Sequence, residues 1–180
     1  MPYFNIVAET SENTVVTEYE PVKKRSDSYQ SEAALEQEFI RLLCEQGYEY
    51  LPIHTEKDLI ANLRMKLEEL NNYQFSDTEW DDFFKNAVAN PNEHIVEKTR
   101  KIQEDNVQVL TRDDGSSKNI TLIDKKNIHN NRLQVINQYV IGTENGAKHD
   151  NRYDVTVLVN GLPLVHIELK RRGVAIREAF

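Results

Sequence analysis

The sequence predicts an α/β (α+β) fold in which helices flank a mixed central β-sheet. Between residues 31 and 102, apolar side chains recur at the three- and four-residue spacing of amphipathic helices, and beyond residue 106 they alternate with the two-residue period of strands. A chain of 180 residues can bury a hydrophobic core, and it contains no apolar run near the roughly 20 residues that a membrane-spanning helix needs. We therefore expect a globular protein of one domain, or two at most.

The first part of the chain combines a polar segment with a helix. Residues 1–30 form a polar N-terminal segment without sustained periodicity, in which Val15-Val16 is a candidate for a short strand. The first helix is predicted over residues 31–46, with Ser31 as its N-cap and Gly47 in the left-handed conformation that often follows a helix. A short strand over residues 48–53 should follow.

Helical patterns continue through residues 55–102. A stripe of leucines comes first, and Ser76-Asp77-Thr78-Glu79 is a capping-box sequence that begins another helix. Asn90-Pro91 ends that helix, and a last one is predicted over residues 93–102.

The second half of the chain has the pattern of strands. Asp113-Asp114-Gly115 between two apolar runs predicts a hairpin, and residues 133–141 predict a further strand. Asn160-Gly161 between two runs of alternating β-branched residues predicts a second hairpin.

The register of the second hairpin can be inferred from its apolar residues. The apolar stripes of both strands share one face only if the connecting loop has an odd number of residues. We therefore predict a three-residue loop, Val159-Asn160-Gly161, with the glycine in a bulge. In this register Asp154 lies opposite His166, and Glu168 is diagonal to it on the same face.

Charge and cysteine content limit the classes of function. The net charge of −8 divides into −11 for residues 1–99 and +3 for residues 100–180, so we expect any polyanion to contact the second half. The alternative is that acidic surface helices precede a more balanced sheet. Cys44 is the only cysteine, which excludes an internal disulfide and favours a reducing, cytoplasmic location.

The stretch from Arg152 to Lys170 carries the candidate chemistry. Asp154 and Glu168 converge from adjacent strands and form the hard-oxygen site that Mg²⁺ prefers. Lys170 shares a face with Glu168, and a lysine there can position or activate a water and stabilise charge on a phosphate. The combination indicates phosphodiester hydrolysis. The alternative is an ordinary surface ion pair of Glu168 with Lys170 or Arg171.

These residues also resemble a known family. Asp154, followed after thirteen residues by Glu168-Leu169-Lys170, resembles the PD-(D/E)xK nuclease signature, with Tyr153 in place of its proline. Much of the chain is similar to the N-terminal nuclease region of the restriction (R, motor) subunit of type I restriction-modification enzymes. The similar segments are residues 28–32, 99–102, 122–127 and 151–180.

The resemblance implies a restriction-endonuclease-like core. Residues 31–180 would be the nuclease domain, with a helical insertion near 55–102. Asp154, Glu168 and Lys170 would be catalytic, and Asp154, Glu168 and the backbone carbonyl of Leu169 would bind Mg²⁺, with Mn²⁺ as an alternative.

A fourth catalytic residue is implied by the first helix. The helix is similar to that of archaeal-type Holliday-junction resolvases, in which a glutamate eleven residues before a glycine completes the metal site. Glu36 stands at that distance from Gly47, and Glu32 and Glu38 remain competitors.

Basic residues of the second half are candidates for phosphate contacts. We expect contacts from six of them: Arg171, Arg172, Arg177, Lys125, Lys126 and Lys148. Sequence-specific readout is not expected, because the family assigns it to another subunit.

The resemblance further implies a larger assembly. The partners would be duplex DNA, the helicase-like motor domains of the R subunit, and the methyltransferase and specificity subunits, with no membrane. The sequence contains no Walker motif, so ATP would act only through domains absent from this chain. The family continues beyond Phe180 with a Gln-x-x-x-Tyr motif on a helix that begins near Val174, so we expect a truncated nuclease domain whose own cleavage is weak or lost.

Two functions are compatible with these patterns. The first is an Mg²⁺-dependent endonuclease domain that cuts unmodified foreign duplex DNA. The second is a non-catalytic docking or scaffold domain with a nuclease fold, which the acidic helical segment from Thr55 to Asn90 motivates.

Overall fold

The computed structural model describes residues 3–9, 15–20, 31–141 and 151–170. The chain divides into two compact units, Met1–Gln30 and Ser31–Phe180. No helix of the described residues has both the length and the apolar content to cross a membrane.

The first unit contains a two-stranded antiparallel sheet. Strand β1 covers Tyr3–Glu9 and β2 covers Val15–Glu20, with a shift in register between Ile6 and Ala8. The candidate strand at Val15-Val16 is therefore confirmed, but β1 was not expected. Its main-chain pairing runs from Tyr3 opposite Glu20 to Glu9 opposite Val15.

The second unit is built on a four-stranded mixed sheet. Its strands are β3 (Glu49–Tyr50), β6 (Leu133–Ile141), β7 (Asn151–Val159) and β8 (Leu162–Ile167). They lie side by side in the order β3-β6-β7-β8. The β3–β6 pair is parallel and the other two pairs are antiparallel, so the mixed sheet predicted from the sequence is confirmed.

Helix α1 (Glu32–Glu45) packs on one face of the sheet. Ser31 caps it by accepting a hydrogen bond from the backbone N–H of Ala34 (3.1 Å), and Gly47 has φ +95°, as predicted. Leu43 lies in a cluster with Val135 and Val155 of the sheet.

Helix α2 (Glu56–Asn71) packs on the opposite face. Leu59 clusters with Ile136 and Leu158, which point away from the α1 side because successive residues of a strand alternate. The sheet is thus covered on both faces, and its central strands bury apolar residues on both sides.

The remaining helices lie within the segment where helices were predicted. Helix α3 (Asp77–Phe83) begins at the predicted capping box and continues as a short π-helix, Phe84–Val88, before α4 (Ile95–Gln103). The predicted hairpin follows as β4 (Val107–Thr111) and β5 (Ser117–Thr121).

The loop predicted for the second hairpin is wrong. Strands β7 and β8 are joined by the two residues Asn160 and Gly161, whose φ angles of +52° and +81° fit a type I′ turn, and Val159 pairs with Leu162. A bulge at Leu164 then adds one residue to β8.

The bulge restores the parity that the apolar pattern requires. Beyond it, Val157 pairs with Val165 and Val155 with Ile167, so apolar residues face one another as predicted. The register differs from the predicted one by two residues, and His166 lies opposite Thr156, not opposite Asp154.

The Asn160-Gly161 turn is buried, unlike most hairpin turns. The side chain of Asn160 donates to the carbonyl of Leu122 (3.0 Å) and to Asn131 Oδ1 (2.8 Å), and accepts from the backbone N–H of Arg132 (2.8 Å). A Cβ atom on Gly161 would lie 2.6 Å from the Cα of Leu63 in α2. The glycine is therefore required by contact as well as by its backbone conformation.

Replacing this glycine should destabilise the protein more than replacing a glycine in an open turn. Gly115 also has a left-handed φ, +82°, but nothing lies within 4 Å of its Cβ position. We expect Gly115→Ala to lower the free energy of unfolding by about 1–2 kcal/mol. Gly161→Ala should lower it by about 1–3 kcal/mol more, because α2 must move. Urea unfolding measures both, and equal losses would contradict the proposed contact.

Candidate functional site

The candidate site lies at the end of the β7–β8 hairpin that is opposite its turn, where β7 begins and β8 ends. Asp154 is half-buried on β7, and its Oδ2 accepts a hydrogen bond from the backbone N–H of Leu169 (2.7 Å). Continuing the pairing of Val155 with Ile167 by one residue brings Asp154 opposite Glu168. This hydrogen bond therefore holds the Glu168-Leu169-Lys170 segment against Asp154 after the strand has ended.

Lys170 forms an ion pair with Glu168. Its Nζ donates to Glu168 Oε1 at 2.6 Å, and both side chains are about 30% exposed (29% and 30%). This hydrogen bond is the main reason that the pKa of Lys170 is raised, and the negative charges of Glu168, Glu32 and Asp154 raise it further. Lys170 is therefore a cation at neutral pH.

Glu36 is the glutamate of α1 that reaches the sheet. It is only 8% exposed, and its two carboxylate oxygens accept hydrogen bonds from the side-chain amides of Asn137 (2.6 Å) and Gln138 on β6. Glu38 instead pairs with Arg41 on the exposed side of the helix. The negative charge of Glu32 contributes to raising the pKa of Lys170.

An irregularity in β6 makes these two amide bonds feasible. Neighbouring residues of a strand point to opposite faces, yet Asn137 and Gln138 both reach Glu36. Gln138 has φ +54°, a left-handed conformation that costs a non-glycine residue about 1–3 kcal/mol. In the pairing of β6 with β7, Asn137 lies opposite Val155 and Tyr139 opposite Tyr153. Gln138 falls between them, at the position opposite Asp154, and is not paired.

The side chains beyond this irregularity follow the change of face. Tyr139 packs in the cluster of Ile136 on the α2 side, and Tyr153 stacks on the ring of His166 with centroids 4.1 Å apart. Thr156 Oγ1 and His166 Nδ1 lie 3.0 Å apart. Partial burial of the imidazole ring disfavours its charged form and lowers the pKa of His166, so this histidine is neutral at pH 7.

The donor set fits a divalent cation of the Mg²⁺ type. The backbone N–H of Leu169 donates to one carboxylate oxygen of Asp154, which leaves the other oxygen available to a cation. The carboxylate of Glu168, opposite Asp154, is partly exposed. Among the described residues, no three His, Cys, Asp or Glu side chains come together to enclose a metal ion. Two carboxylates completed by water and phosphate are the usual ligands of Mg²⁺.

Two of the six residues predicted to contact DNA, Lys125 and Lys126, lie within the described part of the chain. Lys125 Nζ donates to the carbonyl of Gln103 at the end of α4 (2.9 Å), and the backbone N–H of Lys126 donates to Asp124 (3.0 Å). The other four basic residues lie outside the described residues: Lys148, Arg171, Arg172 and Arg177. Their DNA contacts stay a prediction, as does the metal role of the Leu169 carbonyl.

Sequence reasoning missed Asn137 and Gln138. Their signal was two consecutive amides between Ile136 and Tyr139, which break the alternation of period two. Such a break indicates a bulge or a local change of face, and here it marks the residues that hold Glu36.

Comparison with known proteins identifies close relatives over nearly the whole chain. An endonuclease subunit of a type I restriction enzyme, EcoprrI from Escherichia coli, is 50% identical over 175 residues, which cover 97% of this chain and 55% of that subunit. The SsaAORF53P endonuclease subunit of Staphylococcus saprophyticus is 39% identical over 157 residues, 84% of this chain and 16% of that subunit. The HindI endonuclease subunit of Haemophilus influenzae is 30% identical over 172 residues, with 83% and 16% covered.

The chain thus spans about half of the first of these relatives and about a sixth of the other two. Residues 29–180 match the family model described as the N terminus of the type I restriction enzyme R protein. The resemblance predicted from the sequence is confirmed, and the chain belongs to the family of type I restriction enzyme R protein N-terminal regions.

Proposed function

We propose that this chain is a nuclease domain that hydrolyses phosphodiester bonds of duplex DNA with the help of Mg²⁺. The observation that carries the proposal is the hydrogen bond from Leu169 to Asp154, because it holds Glu168 and Lys170 beside the first carboxylate. Two carboxylates and a lysine at one strand end match the chemistry expected of the motif. Relatives that are named endonuclease subunits support nuclease activity in general.

Each of the three site residues would have a distinct role. Asp154 and Glu168 would hold the cation, which supplies Lewis-acid polarisation of the phosphate when it is bound. Lys170 would act as a cation, because a lysine ammonium group is protonated at neutral pH. It would therefore stabilise the charge that develops on the phosphate, and it would orient the attacking water by donating to it.

The domain would work within a larger enzyme. We infer that the motor domains of the R subunit bring DNA to this site, and that methyltransferase and specificity subunits restrict cleavage to unmodified foreign DNA. The net charge of −8 opposes tight DNA binding by this chain alone, so the other parts would supply most of the affinity.

A docking or scaffold role is the second candidate. Helix α4, in the helical insertion near residues 55–102, exposes two neighbouring apolar residues, Ile95 (76% exposed) and Val96 (62% exposed). Exposed apolar residues side by side are a feature of contact surfaces. This role requires neither cation binding nor Lys170, so the following two experiments separate the candidates.

Removing the lysine should abolish cleavage in the complete assembly. We expect Lys170→Ala to lower the rate of DNA cleavage by about 100-fold or more, because a preorganised charge is lost from the site. Lys85→Ala, a change at an exposed lysine of the π-helix, should leave the rate unchanged. Circular dichroism checks that both variants fold. Cleavage at the normal rate by Lys170→Ala would exclude the nuclease role of this residue.

Removing the negative charge of Asp154 should abolish cation binding. The variant Asp154→Asn should fold, because the amide side chain keeps an oxygen that can accept from the N–H of Leu169. We expect calorimetry to detect Mn²⁺ binding to the wild-type chain and none to this variant, because two neighbouring carboxylates supply the site. The matched control is Asp81→Asn, at an exposed position of α3. If the wild-type chain binds no Mn²⁺ or Mg²⁺, the scaffold role is favoured.

A further inference from the structure

We propose that Asn137 and Gln138 are positioning residues that hold the carboxylate of Glu36 toward Asp154, where Glu36 contacts the bound cation through water and not directly. This inference rests on the proposed nuclease function and adds to it two residues that the motif does not contain.

Glu36 is held by hydrogen bonds from neutral groups. Both of its carboxylate oxygens accept a hydrogen bond, one from Asn137 and one from Gln138. An amide donor orients a carboxylate without cancelling its charge, whereas a lysine or arginine partner would neutralise it. A carboxylate has about four lone-pair sites, so each oxygen keeps one for a further donor such as water. Glu36 is thus fixed in direction, and neither of its two partners carries a counter-charge.

The chain adopts an unfavourable backbone conformation at Gln138, one of the two residues that make this contact. Among the described residues, three non-glycine residues have a left-handed φ, and the other two are asparagines, Asn72 and Asn160. Asparagine tolerates this conformation, but glutamine has no such tolerance. Strain of this kind persists where the surroundings enforce it and clusters at functional sites.

The side-chain amide of Asn137 is itself oriented by a neighbouring strand. The hydroxyl of Tyr50, on the neighbouring strand β3, donates to Asn137 Oδ1 at 2.9 Å. The oxygen of this amide therefore faces Tyr50, and its NH₂ group is left to face Glu36. The position of the Glu36 carboxylate is consequently determined by three residues from two strands.

In this proposal the carboxylate of Glu36 lies next to the cation site but outside direct coordination. Gln138 occupies the position of β6 opposite Asp154, where the regular pairing is interrupted. Yet Glu36, Asp154 and Glu168 do not form a three-carboxylate metal cluster in the described part of the chain. A contact mediated by water satisfies both observations, and outer-shell groups of this kind tune metal affinity.

The experiment compares Mn²⁺ affinity, measured by calorimetry on the full chain, in four variants. Glu36→Gln removes the charge, Gln138→Gly removes one amide and suits the left-handed backbone, and Asn137→Ala removes the other amide. Asn72→Gly is the matched control, since Asn72 also has a left-handed φ but ends helix α2. Thermal unfolding of each variant is measured in parallel.

We expect Glu36→Gln, Gln138→Gly and Asn137→Ala each to weaken Mn²⁺ binding by about tenfold, and Asn72→Gly to leave it unchanged. The double variant Glu36→Gln/Gln138→Gly should bind no more weakly than either single variant, because both changes remove the same contact. A purely structural role of the amides would change the melting temperature and leave the affinity as it is.

Two results would overturn the inference. If Gln138→Gly and Asn137→Ala bind Mn²⁺ like the wild type, or if the effects of Glu36→Gln and Gln138→Gly add, the amides do not position Glu36 for the cation. In that case Asp154→Asn still abolishes binding and the nuclease proposal stands. If the wild-type chain itself binds no Mn²⁺, the proposed function fails and this inference fails with it.

Discussion

The register of the β7–β8 hairpin is the constraint on which the candidate site depends. It is set by a buried turn, because Asn160 is hydrogen-bonded to three separate backbone or side-chain groups and Gly161 contacts the backbone of α2. A two-residue turn alone would place the apolar stripes of the two strands on opposite faces. The extra residue at Leu164 returns both stripes to the same face, and it therefore also sets the register of Asp154 and Lys170 at the far end of the hairpin.

Three carboxylates of this region are held in three different ways. Asp154 accepts from a backbone N–H, Glu36 from two side-chain amides, and Glu168 from the ammonium group of Lys170. Only the last has a counter-charge as its partner. Asp154 and Glu36 are thus held without a counter-charge, whereas Lys170 and Glu168 form a partly exposed ion pair, and such pairs are held weakly.

Features that depend on local sequence signals could be predicted, whereas features that depend on tertiary contacts could not. Helix α1 and its cap at Ser31, and the capping box at Ser76, came from local signals and were confirmed. The parity of the hairpin was predictable because apolar burial demands it, but the position of the extra residue was not, since a bulge and an odd loop satisfy the same parity. The left-handed Gln138 could not be predicted, because tertiary contacts, not propensity, place a glutamine in that conformation.

The bulge in β8 has a further consequence for how the molecule behaves in solution. In the sheet order β8 is an end strand, and one of its edges has no partner strand among the described residues. A flat, regular end strand with exposed apolar residues such as Leu164 and Val165 would be a template for aggregation with another chain. Pro163 removes one main-chain donor and the bulge twists the strand, so the irregularity that aligns the site also makes this edge a poor partner for strand addition.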